Sequence, residues 1–188
     1  TIMWTRQCIC PYWKIRRTTS FLLVPDVSER AFFWICSAVI MTFPERMTFD
    51  GDWRPALDFI ARAYKDNSSV RSSIEGERNI QGFFTAYLSI NAYYLTMPEV
   101  ELNHGFCDMF LMPDLQRYPE VEHSYILELK YLPKDKFEAQ SAEQCDAAVQ
   151  QIHCYAEGEK VRQLCRGIRL HCIVMQFCGW ELARMEEV

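Results

Sequence analysis

The apolar residues of this chain change period near residue 95, and that change constrains the fold more than any other feature. Before it, Ile80, Phe83, Phe84, Tyr87, Leu88 and Asn91/Ala92 recur every three or four positions, as on one face of a helix. After it, Val100, Leu102 and His104 alternate with Glu101 and Asn103, which is the spacing of a strand. A helix is predicted over 75–95. Ser72, Ser73 and nearby acidic residues mark its start, where negative charge suits the helix dipole.

Further strands follow. Gly105 interrupts the first. An apolar strand over 106–112 contains Asp108, and Pro113-Asp114 and Pro119 mark a connection to another strand at 125–131. Three strands with short links predict an antiparallel meander. A second helix is predicted over 137–156, with Cys145, Ala148/Val149, Ile152 and Tyr155/Ala156 on one face and Gly158 ending it. The apolar run 168–177 reads as a buried strand, and Gly179-Trp180 introduces a last short segment. The order from residue 75 is therefore helix, three strands, helix, strand.

The region upstream is less regular. Asp50-Gly51-Asp52 is a turn signal, and Pro55 suits the first turn of a helix capped by Asp52. Leu57, Ile60, Ala61 and Tyr64 carry that helix to about Asp66-Asn67. Residues 1–47 mix aromatics, cysteines and basic residues without a clean period, and are read as an appended segment before a domain at 48–188. Within them, 21–24 predicts a short strand before Pro25, and 31–43 is an apolar run that fits helix or strand.

Composition narrows the function classes. Nearly half of the 188 residues are hydrophobic, which excludes a disordered chain. The net charge is −5; residues 1–47 carry +3, leaving −8 on the remainder. That excludes a globally basic nucleic-acid binder, though not a local basic groove. Nine cysteines without a framework read as buried thiols of a reduced, cytoplasmic protein. Cys8 and Cys10 lack a partner pair with zinc-finger spacing, and His153-Cys154 and His171-Cys172 read more readily as core thiols and surface imidazoles than as zinc ligands. The run 31–43 is too short to span a bilayer, and no signal peptide is evident.

The chemistry lies in the strands. Alternation puts Glu128 and Lys130 on one face of their strand and Leu127, Leu129 and Tyr131 on the other. Pairing with the preceding strand would bring Asp108 beside Glu128. Two carboxylates and an ammonium suit phosphodiester hydrolysis: Mg²⁺ takes a few carboxylates and accepts phosphate oxygens, and a lysine can orient water or neutralise developing charge. Spacing alone fits equally well a wet strand face whose Glu128–Lys130 pair contributes little. Two points favour the chemistry. Asp108 interrupts an apolar strand, and a helix follows that can cover the sheet.

Gly105-Phe106-Cys107-Asp108 followed by Ile126-Leu127-Glu128-Leu129-Lys130 resembles the D…(D/E)-x-K signature of the PD-(D/E)XK nuclease superfamily, and the element order matches its core. The resemblance covers roughly residue 77 to the end. It implies an α/β, restriction-endonuclease-like core (helix, three-strand meander, helix, strand) with an N-terminal appended segment. Asp108 and Glu128 match the metal-binding acids and Lys130 the motif lysine. Glu77 matches an acid that some members add to the metal site, and Gln151 a glutamine sometimes beside it, with Gln144 two turns earlier. A helix-start glutamate and a solvated helix face account for these last three nearly as well. The cofactor implied is Mg²⁺ or Mn²⁺.

The implied partner is nucleic acid, DNA ahead of RNA, with no membrane. The wording of 105–114, 125–131 and 150–155 looks like a bacterial branch in which the domain follows an AAA-ATPase-like one. An AAA-type ATPase partner and a homodimer are thus further expectations. The chain departs from the pattern in having Cys107 before Asp108 instead of proline, and in lacking a Walker A motif. The alternative function is a catalytically inactive nuclease-like fold used as a protein-interaction module.

Overall fold

One five-stranded sheet, in the order β1-β2-β3-β4-β5, organises the molecule. The computed structural model describes residues 43–68, 76–103 and 105–188. Two helices come first, α1 (Arg54–Asn67) and α2 (Glu77–Leu88). Strands β1 (Tyr94–Leu102), β2 (Gly105–Pro113) and β3 (His123–Leu132) form the predicted antiparallel meander. Helix α3 (Lys134–Ala156) and short α4 (Glu159–Leu164) cross over to β4 (Arg169–Cys178), which pairs parallel with β3. An antiparallel edge strand, β5 (Glu181–Glu187), closes the order.

The sheet is covered on both faces. On one, Leu57, Ile60 and Tyr64 of α1 and Ile80 and Phe84 of α2 pack on Leu111, Leu127, Met175 and Phe177. On the other, Cys145, Ala148, Ile152 and Tyr155 of α3 pack on Phe110, Ile126 and Val174. Burial on both faces explains why β3 and β4 read as continuous apolar runs instead of alternating ones. Each fully buried Leu, Ile or Phe contributes roughly 1.5–3 kcal/mol. The same burial makes Glu128, fully buried in mid-strand, conspicuous.

Residues before α1 join this core. Met47, in a π-helical turn over Arg46–Asp50, is buried, and its carbonyl accepts a 2.5 Å bond from the Tyr125 hydroxyl. The Tyr125 ring stacks on His171. His171 Nδ1 lies 2.8 Å from Glu187 Oε1, and its Nε2 lies 2.9 Å from His123 Nδ1. Trp53 Nε1 donates to Glu187 Oε2 at 2.9 Å. This chain ties the start of α1 to the first residues of β3 and β4 and the end of β5.

Several expectations are corrected. The helix over 75–95 ends at Leu88, and Tyr94-Leu95 are strand. Asn91 Oδ1 accepts the Tyr93 N–H, an Asx turn that stops the helix although Ala92 continues the period. Asp52 does not cap α1; it pairs with Arg46, and Trp53 occupies the cap position without a side-chain bond. Helix α3 starts three residues before the expected 137. Gly158 begins α4 with a φ of −61° instead of ending α3 in the left-handed region. The predicted strand at 21–24, the run 31–42, Ser72-Ser73, His104 and the Cys8/Cys10 pair lie outside the described residues, as does most of the expected appended segment 1–47. Among the described residues no helix is long and apolar enough to cross a membrane.

Candidate active site where two strands part

Strands β2 and β3 pair only at Met109–Leu127, Phe110–Ile126 and Leu111–Tyr125. Beyond Leu127, β3 continues against β4 alone, as far as Leu132–Cys178. The outward N–H groups of Leu129 and Tyr131 therefore lose their strand partner, and buried backbone donors must find another. The Leu129 N–H donates to Asp108 Oδ2 at 2.7 Å. The Glu77 carboxylate faces the Tyr131 backbone, whose amide favours its charged form. The Asp108 carboxylate thus takes the place of a strand at Leu129, with the Glu77 carboxylate facing the next freed position, and the two acids converge here.

A distortion in β1 and β2 aims Asp108. The register is continuous from Pro98–Met109 to Val100–Cys107, yet the alternation of faces breaks in both strands. Cys107 and Phe110, three apart, pack on the α3 side, and so do Met97 and Val100. Glu99, opposite Asp108, has a left-handed φ of 51°. Such irregularities next to a site re-aim a side chain. The Asp108 carboxylate swings toward β3, while its carbonyl turns to α2, where Gln81 Nε2 donates to it at 2.9 Å.

Glu128 and Lys130 share a face, as alternation predicts. Lys130 Nζ lies 2.7 Å from Glu128 Oε1 and 4.0 Å from Asp108 Oδ2. The Glu128 side chain is 1% exposed, against 17% for Asp108 and 15% for Lys130. Glu128 Oε2 is buried without a hydrogen-bond partner. Burial, then the Asp108 charge, pushes the Glu128 carboxyl up to about 7 despite Lys130. Burial likewise raises Asp108 against the opposing Leu129 N–H, and raises Glu77 against Lys130. For Lys130, burial pulls the ammonium down, but Glu128, Asp108 and Glu77 together hold it above its usual value.

The structure therefore brings Asp108, Glu128 and Lys130 together, with Glu77 within electrostatic reach of Asp108 and Lys130. Gln151 stands one step away: its amide donates to the Tyr155 hydroxyl, which donates to the Phe106 carbonyl at 2.7 Å. Gln144 is further along, bonded to the Tyr131 carbonyl at 3.1 Å and to Gln176 at 3.0 Å. Sequence reasoning missed Gln81, Gln176, Tyr155 and Glu99. Gln81 lies four residues after Glu77 on the same helix face, and Gln176 interrupts an apolar run, so both left a signal.

Among the described residues no three His, Cys, Asp or Glu side chains are close enough together to form a metal cage. Mg²⁺ does not require one, because it binds through one or two carboxylates plus waters and substrate phosphates. The bare Glu128 Oε2 beside Asp108 meets that demand, so the residues present fit such an ion.

A family model described as the PD-(D/E)XK nuclease superfamily matches residues 75–187. No curated protein and no solved structure matches the chain. The matched stretch takes in α2, the whole sheet and α3, and so every side chain of the site. The mixed α/β architecture is that of a restriction-endonuclease-like fold, and the chain belongs to the PD-(D/E)XK nuclease superfamily.

Proposed function

We propose that this protein hydrolyses phosphodiester bonds of nucleic acid at Asp108, Glu128 and Lys130, using Mg²⁺ or Mn²⁺. The observation that carries the reading is the buried, partnerless Glu128 Oε2 beside Asp108. Leaving a buried carboxylate oxygen unpaired costs about 1–3 kcal/mol or more, a cost a bound cation would remove. Asp108 and Glu128 would hold the ion, with Glu77 as an outer third acid. When bound, the ion supplies positive charge to the phosphate and acidifies water.

The chain's own groups do the rest. Lys130 is held protonated between the two acids, placed to orient the attacking water or to meet developing charge on the phosphate. Asp108 is fixed by the Leu129 N–H and, through its carbonyl, by Gln81. Gln151 acts through Tyr155, which holds the backbone at Phe106, two residues before Asp108. DNA ahead of RNA as substrate, a cytoplasmic setting, a homodimer and an AAA-type ATPase partner belong to the same reading. So does the division into an appended segment 1–47 and a domain 48–188, with Met47 already contributing to the core.

A specific observation favours a second reading. Lys130 already pairs with Glu128, and no three-ligand cluster stands ready among the described residues. On that reading the fold is an inactive protein-interaction module.

Incubation of single- and double-stranded DNA and RNA with the protein, in Mg²⁺ or Mn²⁺, separates the two. Metal-dependent cleavage that disappears in Asp108→Ala establishes the nuclease. No cleavage at high protein concentration, together with no Mn²⁺ binding by calorimetry, leaves the interaction module.

A further inference from the structure

Beside Asp108, on the face covered by α2, two features extend beyond the site described above. The first is a groove of about 320 Å³ between α2 and β1, lined by Arg78, Gln81, Gly82, Thr85, Pro98 and Glu99. It adjoins the site directly, since Gln81 bonds the Asp108 carbonyl and Glu99 sits opposite Asp108 in register. Arg78 makes no ion pair among the described residues. Gly82, one turn after Arg78, has open space where a side chain would stand, so the helix presents an unobstructed floor. Glu99 lies at the Asp108 end, so the charge available for an anion is that of Arg78.

The second feature is Phe106. It is 64% exposed although it lies within β2. Its neighbour Cys107 is buried on the α3 side, so Phe106 points to the α2 side, the side of the groove. It is two strand residues, about 7 Å, from Asp108. Its carbonyl is pinned by the Tyr155 hydroxyl, and a side chain on Gly105 would collide with the Tyr155 ring at 2.7 Å. An exposed aromatic ring on a pinned backbone beside a phosphate-cleaving centre is what a base-stacking platform requires.

We propose that the substrate is a single strand, with one base stacked on Phe106 and a neighbouring phosphate held by Arg78 in the α2–β1 groove. This rests on the nuclease reading for the place of the scissile bond but makes a separate claim about binding. Stacking suits a single strand because a paired base offers no free face. A groove with one arginine, on a body of net charge −8, offers too little for a duplex held mainly by phosphate contacts.

The test is fluorescence anisotropy with a labelled single-stranded oligonucleotide and its duplex, in Ca²⁺ so that binding is read without turnover. The expected result is tighter binding of the single strand. Phe106→Ala should weaken it by roughly 5- to 150-fold, and Phe106→Trp should restore it. Arg78→Ala should weaken it and lower the salt slope by about one. Phe49→Ala, at a 40% exposed ring elsewhere, should change nothing.

The inference is overturned by a duplex that binds as well as the single strand. Unchanged affinity in Phe106→Ala also overturns it. So does a Phe106→Ala variant whose only effect, seen by sedimentation, is loss of self-association, since the ring then serves a second copy of the chain. Single-strand binding that depends on Phe106 without cleavage in Mg²⁺ would sustain the platform and sink the nuclease. Cleavage restricted to duplex would do the reverse.

Discussion

Strand β3 carries a polar cluster at each end, and the two are built on opposite principles. At its start, His123, His171, Glu187 and Trp53 form a chain in which each link has its partner. A carboxylate can only accept, so His171 Nδ1 carries the proton given to Glu187, and His171 Nε2 meets His123 Nδ1. At the other end, Glu128 keeps a buried oxygen with no partner, and three acids crowd one lysine. A satisfied network rigidifies a fold, whereas an unsatisfied one marks a place reserved for something else. The histidine end thus holds the frame together, and the Glu128 end is costly to stability in the absence of a ligand.

The sharpest way to break this contrast is through activity. Asp108→Ala should reduce metal-dependent cleavage by about 10³-fold or more while costing only about 1–2 kcal/mol of stability, for the orphaned Leu129 N–H. His171→Ala should do the opposite. Removing a buried ring that bridges two partners should cost about 3 kcal/mol by urea unfolding, with Mn²⁺ affinity unchanged. If it lowers Mn²⁺ affinity instead, the two clusters are not independent.

Glu128→Gln should stabilise the chelated protein at pH 8 by roughly 2 kcal/mol. The folded carboxyl titrates near 7 against an ordinary 4.5, so its contribution is full below 4.5 and lost as pH rises to 7. The histidine end has the other sign. Burial, then His171, lowers His123; for Glu187 burial acts upward, but the bonds from Trp53 and His171 outweigh it and lower the carboxyl. Their stability is present above 6.5 and 4.5 respectively and is lost as pH falls. Melting curves from pH 4 to 8 should therefore show the acid loss of stability more steeply in Glu128→Gln than in the native protein. A shallower loss would mean that Glu128 is ionised throughout.

The smallest effect is expected at Gly51. It holds a φ of +70° with its backbone against the His123 ring, and an added Cβ would lie 2.6 Å from that ring. Gly51→Ala should cost about 1–2 kcal/mol, and less in a His123→Ala background. Equal costs in both backgrounds would show that only the backbone conformation matters there.

These clusters also show what a single sequence can disclose. Asp108, Glu128 and Lys130 were legible because strand alternation is local and the connection between their strands is short. The helix face of α2 was legible for the same reason, but its end was not, because the Asx turn at Asn91 acts against an apolar period that runs on to Ala92. Gln81 showed only as a polar residue one turn after Glu77; its role depends on a carbonyl freed by a distortion in another element, which no local pattern encodes. The histidine chain showed only at His171, singled out as a potential ligand or, more readily, a surface imidazole. Its links span 48, 16 and 134 residues of sequence, and no local pattern encodes them.

The Asp108 carboxylate completes the hydrogen bonding of β3 at Leu129. One backbone amide is therefore wired to the centre of the site. Its proton resonance should move when the carboxylate changes protonation or takes up an ion, and its hydrogen exchange should slow when Asp108 is held more firmly. An ¹⁵N-labelled sample would thus carry a built-in probe of site occupancy, readable without substrate, turnover or a foreign dye.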